Sequence, residues 1–282
     1  MNKDQIKIIK RAKRKQEIKR MIGKIWKFLS KTGFHSVILN YHSIHPTHPF
    51  STKLDDFQKQ IELLQNNFEI ISLSEFYEYY KNNNLGKSNY AVITFNDRYE
   101  NNFTYAFPII KRFRIKPTIF IVTGFINKEI DITNSFQNYR GLKPLSWEQI
   151  KEMSGYGVEF GSHTYLHPNL AKIDLDEDRE EIVVLKEMIE SQIKKEVKFL
   201  AYPWGQLDCF NPKIISIVSQ VGYHLACSTL WGKITKRISI FALPRIRIDP
   251  WDTLEDFEAK ILGEWDYIKY FQILKSFLRR NL

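Results

Sequence analysis

The stretch AVITFNDRYENNF, residues 91–103, decides how this chain is read. Five β-prone residues, Ala91 to Phe95, run straight into Asn96, Asp97 and Arg98, and a helix-like segment follows. A short apolar run bounded by polar residues fits a strand buried on both faces, the habit of a parallel sheet. It also ends by setting an amide beside a carboxylate, which poses a chemical question.

The same order recurs on both sides. VILNY (37–41) precedes the helix-like LDDFQKQIELLQNN, and EIIS precedes LSEFYEYYK. TIFIV (118–122) precedes an irregular, Asn-rich stretch reaching about Lys143. SWEQIKEMS opens on a Ser N-cap with Glu148 in its first turn. GVEFG (157–161) precedes a helix over about 175–193, and KFLAY (198–202) precedes NPKIISIVSQVG, with Pro just inside its start and Gly past its end. YHLACS and FALPRIRI close the series. Repeated strand-then-helix order means parallel strands, because each crossover helix returns the chain in the same direction. The expected class is therefore α/β, a (β/α) barrel of seven or eight parallel strands over residues 34–255, with a doubly wound open sheet as the alternative.

The two ends differ from this body. Of 42 Lys and Arg and 32 Asp and Glu, residues 1–31 hold twelve and two, so the rest is neutral on balance. The body gives no electrostatic reason to expect a nucleic-acid groove. Ile18, Met21, Ile22, Ile25, Trp26 and Leu29 form a helical stripe among lysines, and Gly33 stands where a C-cap would. Residues 1–33 thus read as a basic amphipathic arm. Residues 256–282 read as a C-terminal helix with Tyr267, Tyr270, Phe271, Leu274, Phe277 and Leu278 beside Lys269, Lys275, Arg279 and Arg280. Either helix could cover the barrel, or the arm could lie on an anionic membrane surface. Lys24 and Lys27 interrupt any leader-like apolar core, and no run approaches the roughly 18 apolar residues of a membrane span. Cys209 and Cys227 form no close-spaced motif. The expected location is cytoplasmic, at most peripheral at the inner membrane face.

Barrel enzymes place chemistry at the C-terminal ends of their strands. His42 follows VILNY; Asn96 and Asp97 follow AVITF; Ser162 to His167 follow GVEFG; Pro203, Trp204 and Gly205 follow KFLAY. Two imidazoles four apart and one carboxylate suit a facial metal site with positions left open, as a catalytic Zn²⁺ requires. Plainer readings stand beside this one. Asp97 could cap a helix starting near Tyr99, and His167 could cap one after Pro168. Trp204 could be an aromatic lid, His45 and His48 exposed turn residues, and His224 a packed core histidine.

Taken together, these motifs resemble the polysaccharide deacetylase family, also called the NodB-homology or carbohydrate esterase 4 group. VITFNDRYENNF resembles its T-F-D-D-G-Y block, HTYLHPNL its H-S/T-x-x-x-H-x-x-L block, and FLAYPWG its F-A-Y-P-Y-G variant. VILNYHSI and LPRIRI resemble the first strand and closing element of the poly-N-acetylglucosamine deacetylase branch. The resemblance implies a distorted (β/α) barrel that hydrolyses the N-acyl group of an amino sugar. It implies a divalent ion, usually zinc, held by Asp97, His163 and His167. It implies His42 as general acid and the Trp204 backbone N–H as oxyanion donor. Expected substrate contacts are Arg98, Tyr202, Pro203, Trp204 and Arg245. With basic amphipathic ends, a lipid-linked or nucleotide-linked sugar is the expected substrate, and nucleic acid is not an expected partner. The sequence departs twice from the pattern. Asn96 occupies the general-base position, and Arg98 stands where the family has Gly. An amide cannot take a proton from water, and losing a general base costs on the order of 10²–10⁴ in rate. A catalytically inactive glycan-binding or scaffold protein on the same fold is the alternative.

Overall fold

The computed structural model describes residues 3–29, 35–97, 99–126, 142–234 and 238–280. In chain order, α1 (Lys3–Leu29) leads to β1 (Ser36–Tyr41), α2 (Leu54–Asn67), β2 (Glu69–Ile70), α3 (Leu73–Lys81) and β3 (Tyr90–Phe95). A π-helical turn (Asn102–Ala106) opens α4 (Phe107–Phe113), followed by β4 (Thr118–Ile121), the short α5 (Thr123–Ile126), α6 (Trp147–Tyr156) and β5 (Glu159–Ser162). Then come α7 (Leu175–Ile193), β6 (Phe199–Ala201), α8 (Pro212–Gln220), β7 (Leu225–Cys227), β8 (Ile246–Arg247), α9 (Leu254–Ile261) and α10 (Ile268–Arg280).

All strand pairs are parallel. Seven strands follow one path, β7-β6-β5-β4-β3-β1-β8, and β2 pairs with the start of β3. The sheet curls into a half-barrel with helices around it, a distorted (β/α) barrel rather than a flat doubly wound sheet. Its end strands are joined by the chain between them: Cys227 bridges to Leu243, and Arg245 N–H donates to Leu230 O. β1 and β3 are buried along their whole length, which is why their sequences lack a polar alternation. Successive residues still point to opposite faces. Val37, Leu39, Ile93 and Ile119 pack beneath the helices, while Ile38, Val92, Phe120 and Leu225 fill the inner cluster.

Local chemistry sets the helix ends. Ser72 with Glu75 and Ser146 with Gln149 form capping boxes at α3 and α6. Asn211 caps α8, with Pro212 just inside. The helix read directly after Arg98 is instead broken into two kinds of turn. Helix begins at Glu100, but Phe107 N–H reaches Asn102 O in a π turn, and Pro108, whose missing N–H cannot serve the i→i−4 ladder, follows at once. FALPRIRI likewise shrinks to a two-residue strand, with a short 3₁₀ turn over Ile240–Ala242 and Pro244 ahead of it. His224 lies just before β7, half-buried with its ring beside Tyr77, not inside a strand. His45 and His48 are half-buried, because His45 meets Tyr105 edge-on and its Nδ1 accepts from the backbone N–H of His48. Gly33 and most of the Asn-rich stretch lie outside the described residues.

Helix α1 begins far ahead of the stripe that announced it, and it docks through polar groups. Gln16 bonds Asp252, Arg20 forms a two-pronged pair with Asp256 (one arm 2.7 Å), and Lys27 meets Glu264 at 2.6 Å. Gly23 lets the helix close on Trp265, where a Cβ would come within 3.0 Å of the indole. The apolar stripe is split by this docking. Ile22 and Trp26 turn inward, while Ile18, Met21, Ile25 and Phe28 face outward, Phe28 at 90% exposure. On α10, Tyr270, Phe271, Leu274, Phe277 and Leu278 are also exposed. Among the described residues, no helix is long and apolar enough to cross a membrane.

Candidate metal centre and active site

Four strand ends meet at one rim. Asp97 leaves β3 with φ 65°, and Thr164, His167 and Trp204 share the left-handed region at 63°, 61° and 61°. Non-glycine residues rarely adopt this conformation, and such strain gathers at functional sites. The Asp97 carboxylate is buried at the rim, where His163 and His42 face its two oxygens. The short turn after His167 is capped by Asn169, whose side chain accepts from Ala171 N–H.

Asp97, His163 and His167 present ligand atoms that all lie within 4.8 Å of one another. His163 stands just past β5 and is almost fully buried. Its Nδ1 contacts Ala201 O at 2.7 Å, so the proton sits on Nδ1 and the Nε2 lone pair faces Asp97 Oδ1, 3.7 Å away. Burial, reinforced by His167, pulls the His163 pKa well below its ordinary value and keeps the ring neutral. A neutral imidazole with its tautomer fixed by a backbone carbonyl is what a metal ligand requires. The donor set, two nitrogens and a carboxylate, fits a divalent ion such as zinc.

Asn96 sits beneath this triad, and its orientation is fixed from both sides. Its Oδ1 accepts from Arg245 Nη1 at 2.8 Å, and its Nδ2 faces His163 Nε2 at 3.2 Å. Arg245 is 1% exposed; it also donates to Ser228 O at 2.8 Å and packs over Phe120, while its Nη2 is buried with no hydrogen-bond partner. Arg245 therefore lies behind the site instead of on its wall. Tyr202 and Pro203 are buried as well, Tyr202 stacked on Phe210 with its hydroxyl donating to Phe241 O. Of the expected substrate contacts, Trp204 stands in the open, half-exposed and 5.5 Å from the His167 ring. Arg98 lies outside the described residues.

His42 completes the rim, with Nε2 4.0 Å from Asp97 Oδ2. Burial lowers its pKa to about 4 against the opposing pull of Asp97. The loop that carries it is clamped from the second half of the opening stretch. Asn102 Nδ2 donates to His42 O at 2.8 Å, and Asn101 Nδ2 donates to Ser43 Oγ at 2.6 Å. The paired asparagines of YENNF thus tie two strand ends together.

The triad opens into a cavity of about 520 Å³. Asn40, Trp231, Trp251, Lys19, Arg247 and Gln272 contribute to its walls, none of them among the expected site residues. Asn40 was legible as an amide inside an apolar strand, and Arg247 as the second arginine of PRIRI. Lys19 and Gln272 come from the terminal helices, and no local pattern marks them.

Known proteins resemble this chain over most of its length. The chain is 27% identical over 227 residues to the poly-beta-1,6-N-acetyl-D-glucosamine N-deacetylase of Staphylococcus aureus (strain MRSA252), covering 77% of this chain and 72% of that one. It superimposes on the Streptococcus pyogenes deacetylase PplD, solved in complex with acetate, with a TM-score of 0.70 and 26% identity over 82% of this chain and 99% of that one. IcaB from Ammonifex degensii shares the fold, with a TM-score of 0.67 and 20% identity over 83% and 98% of the two chains. The polysaccharide deacetylase family model matches residues 83–226, from before β3 into β7, and the chain belongs to that family.

Proposed function

We propose that this protein removes the N-acetyl group from an amino sugar within a glycan, at the cavity that contains Asp97, His163 and His167. What carries the reading is the convergence of those three side chains, from two strand ends, in a chain of this family. Zinc is the proposed ion, given two imidazoles and one carboxylate. When bound, it supplies Lewis acidity toward water and the acyl carbonyl. The backbone N–H of Trp204 is the proposed donor to the developing oxyanion, and the indole forms a wall for the sugar. His42 is the cavity imidazole left over from the triad. It hands a proton from Nε2 to the departing amine. Because Asn96 cannot accept a proton, the same Nε2 is the group left to take the proton that water loses. Asn96 holds its place by hydrogen bonding and contributes no base, so turnover is slow.

The test pairs elemental analysis of the purified protein with acetate release from N-acetylglucosamine oligomers. One equivalent of divalent ion, lost in His163→Ala together with activity, is the expected result. Metal bound with no acetate released, by wild type or Asn96→Asp, would end the hydrolase reading and leave a glycan-binding protein.

The outward apolar faces of α1 and α10 support peripheral attachment to an anionic membrane. Contiguous exposed hydrophobics flanked by lysines are costly in water and suit a headgroup interface.

A further inference from the structure

Three hollows meet where α1 crosses the rim, and two cations belong to all of them. Lys19 and Arg247 line the cavity that holds the triad, the hollow beside Lys15 and Trp251, and the one beside Gln206 and Lys275. Among the described residues, the walls beyond the triad carry Arg11, Lys15, Lys19, Arg247 and Lys275 against Asp208 and Asp249.

The charges beneath this trough are already matched. Lys260 is fully buried and bonds Asp252 at 2.5 Å and Asp249 at 3.3 Å, and Arg247 Nε meets Asp249 at 2.9 Å. Burial opposes ionisation of Asp249, but Lys260 and Arg247 outweigh it and hold its pKa at about 2. Lys19 is different. It is half-buried over the Trp265 ring, and no carboxylate of the described residues lies within ion-pair distance of its ammonium. Asp249 and Asp252 attract it only from beyond that distance, and Lys260 and Arg247 repel it, so its half-buried ammonium gains most from an anion in direct contact. Burial lowers the Lys19 pKa, a penalty that an arriving dianion would reverse.

The geometry points to a substrate that carries a phosphate group, seated between Lys19 and Arg247 while the amino sugar occupies the neighbouring triad cavity. This rests on the deacetylase reading and narrows its substrate class to phosphorylated amino sugars. A guanidinium and an ammonium suit phosphate oxygens by charge-assisted hydrogen bonding. The phosphate belongs either to the glycan or to a lipid headgroup that carries it.

Binding separates this proposal from catalysis. N-acetylglucosamine 1-phosphate and N-acetylglucosamine are titrated into the full chain at two salt concentrations. The expected result is at least tenfold tighter binding of the phosphorylated sugar, with inorganic phosphate competing and the preference shrinking as salt rises. Lys19→Gln should abolish most of that preference and leave the neutral sugar unaffected. Because Lys19 also packs on Trp265, the double variant Lys15→Gln/Lys275→Gln, at two exposed positions, gives a second reading, expected to weaken the preference severalfold. Competition by phosphatidylglycerol vesicles assigns the phosphate to a lipid; its absence assigns it to the glycan. His163→Ala should keep the preference, so loss of acetate release alone would count against the hydrolase and not against this site. Equal affinity for both sugars, or a preference unchanged in both sets of variants, would overturn the proposal.

Discussion

Asn96→Asp is the perturbation with the most to say, because it changes two things at once. The amide oxygen already accepts from a guanidinium that is 1% exposed, at 2.8 Å, and Arg245 has a second buried nitrogen with no partner. The present bond is already charge-assisted by the guanidinium. A carboxylate there adds a counter-charge to a buried cation; an uncompensated buried charge costs about 3–5 kcal/mol, and burying the new charge takes back part of that. The net gain of about 1–2 kcal/mol corresponds to a rise of several degrees in melting temperature for a domain of this size. The second oxygen replaces Nδ2, 3.2 Å from His163 Nε2, and meets a lone pair there. The stabilisation should therefore be larger with zinc present than after chelation. In catalysis, the variant regains a general base, and acetate release from N-acetylglucosamine oligomers should rise by on the order of 10²–10⁴ at equal metal content. The assay is initial-rate acetate release paired with thermal melts. A higher melting temperature with an unchanged rate would refute Asn96 as the missing base. A lower melting temperature at every metal concentration would refute the account of Arg245.

Three further outcomes are expected. Metal-free protein should lose stability in acid: His42 titrates at about 4 and His163 well below 6.5, so the unfolded chain binds more protons as pH falls beneath about 6.5. Stability present above pH 6.5 is then lost as pH falls through about 4, by up to about 3 kcal/mol for His42 and less for its partial exposure; melts across pH should show a shallower slope for His42→Gln, and an identical slope would refute the assignment. Gly161→Ala puts a methyl 2.6 Å from the Phe120 ring and 2.9 Å from Phe199 O, and should cost about 1–3 kcal/mol in urea unfolding; a neutral effect would mean that β5 can shift. Ile25→Gln/Phe28→Gln should release the protein from phosphatidylglycerol vesicles in a flotation assay without changing acetate release, and undiminished flotation would refute the membrane face.

Much of the fold was legible because β1, β3 and β4 are short, apolar and punctuated, and capping residues such as Ser146 and Asn211 announce the helices. The rim was legible because its residues follow directly on strands. What escaped the sequence depends on three-dimensional pairing. Arg245 reads like a ligand-facing arginine, yet it is buried, bonded to Asn96, Thr94 and Ser228 with one nitrogen left over. The stripe on α1 left barrel cover and a membrane surface both open, and Asp252, Asp256 and Glu264 select the polar side of the helix for docking. Periodicity reports that two faces differ; it does not say which one a distant carboxylate will attract.

The docking of α1 also bears on how the molecule is made. Gln16 meets Asp252, Arg20 meets Asp256, and the Lys19 carbonyl meets Tyr267, across separations of 236 to 248 residues. During synthesis the helix therefore waits for nearly the whole barrel before its partners leave the ribosome. For that interval its hydrophobic side chains and its polar docking edge are both uncovered, open to chaperones or to a bilayer. Contacts this distant in sequence are slow to form, so the last step of folding is also the one that brings Lys19 to the cavity.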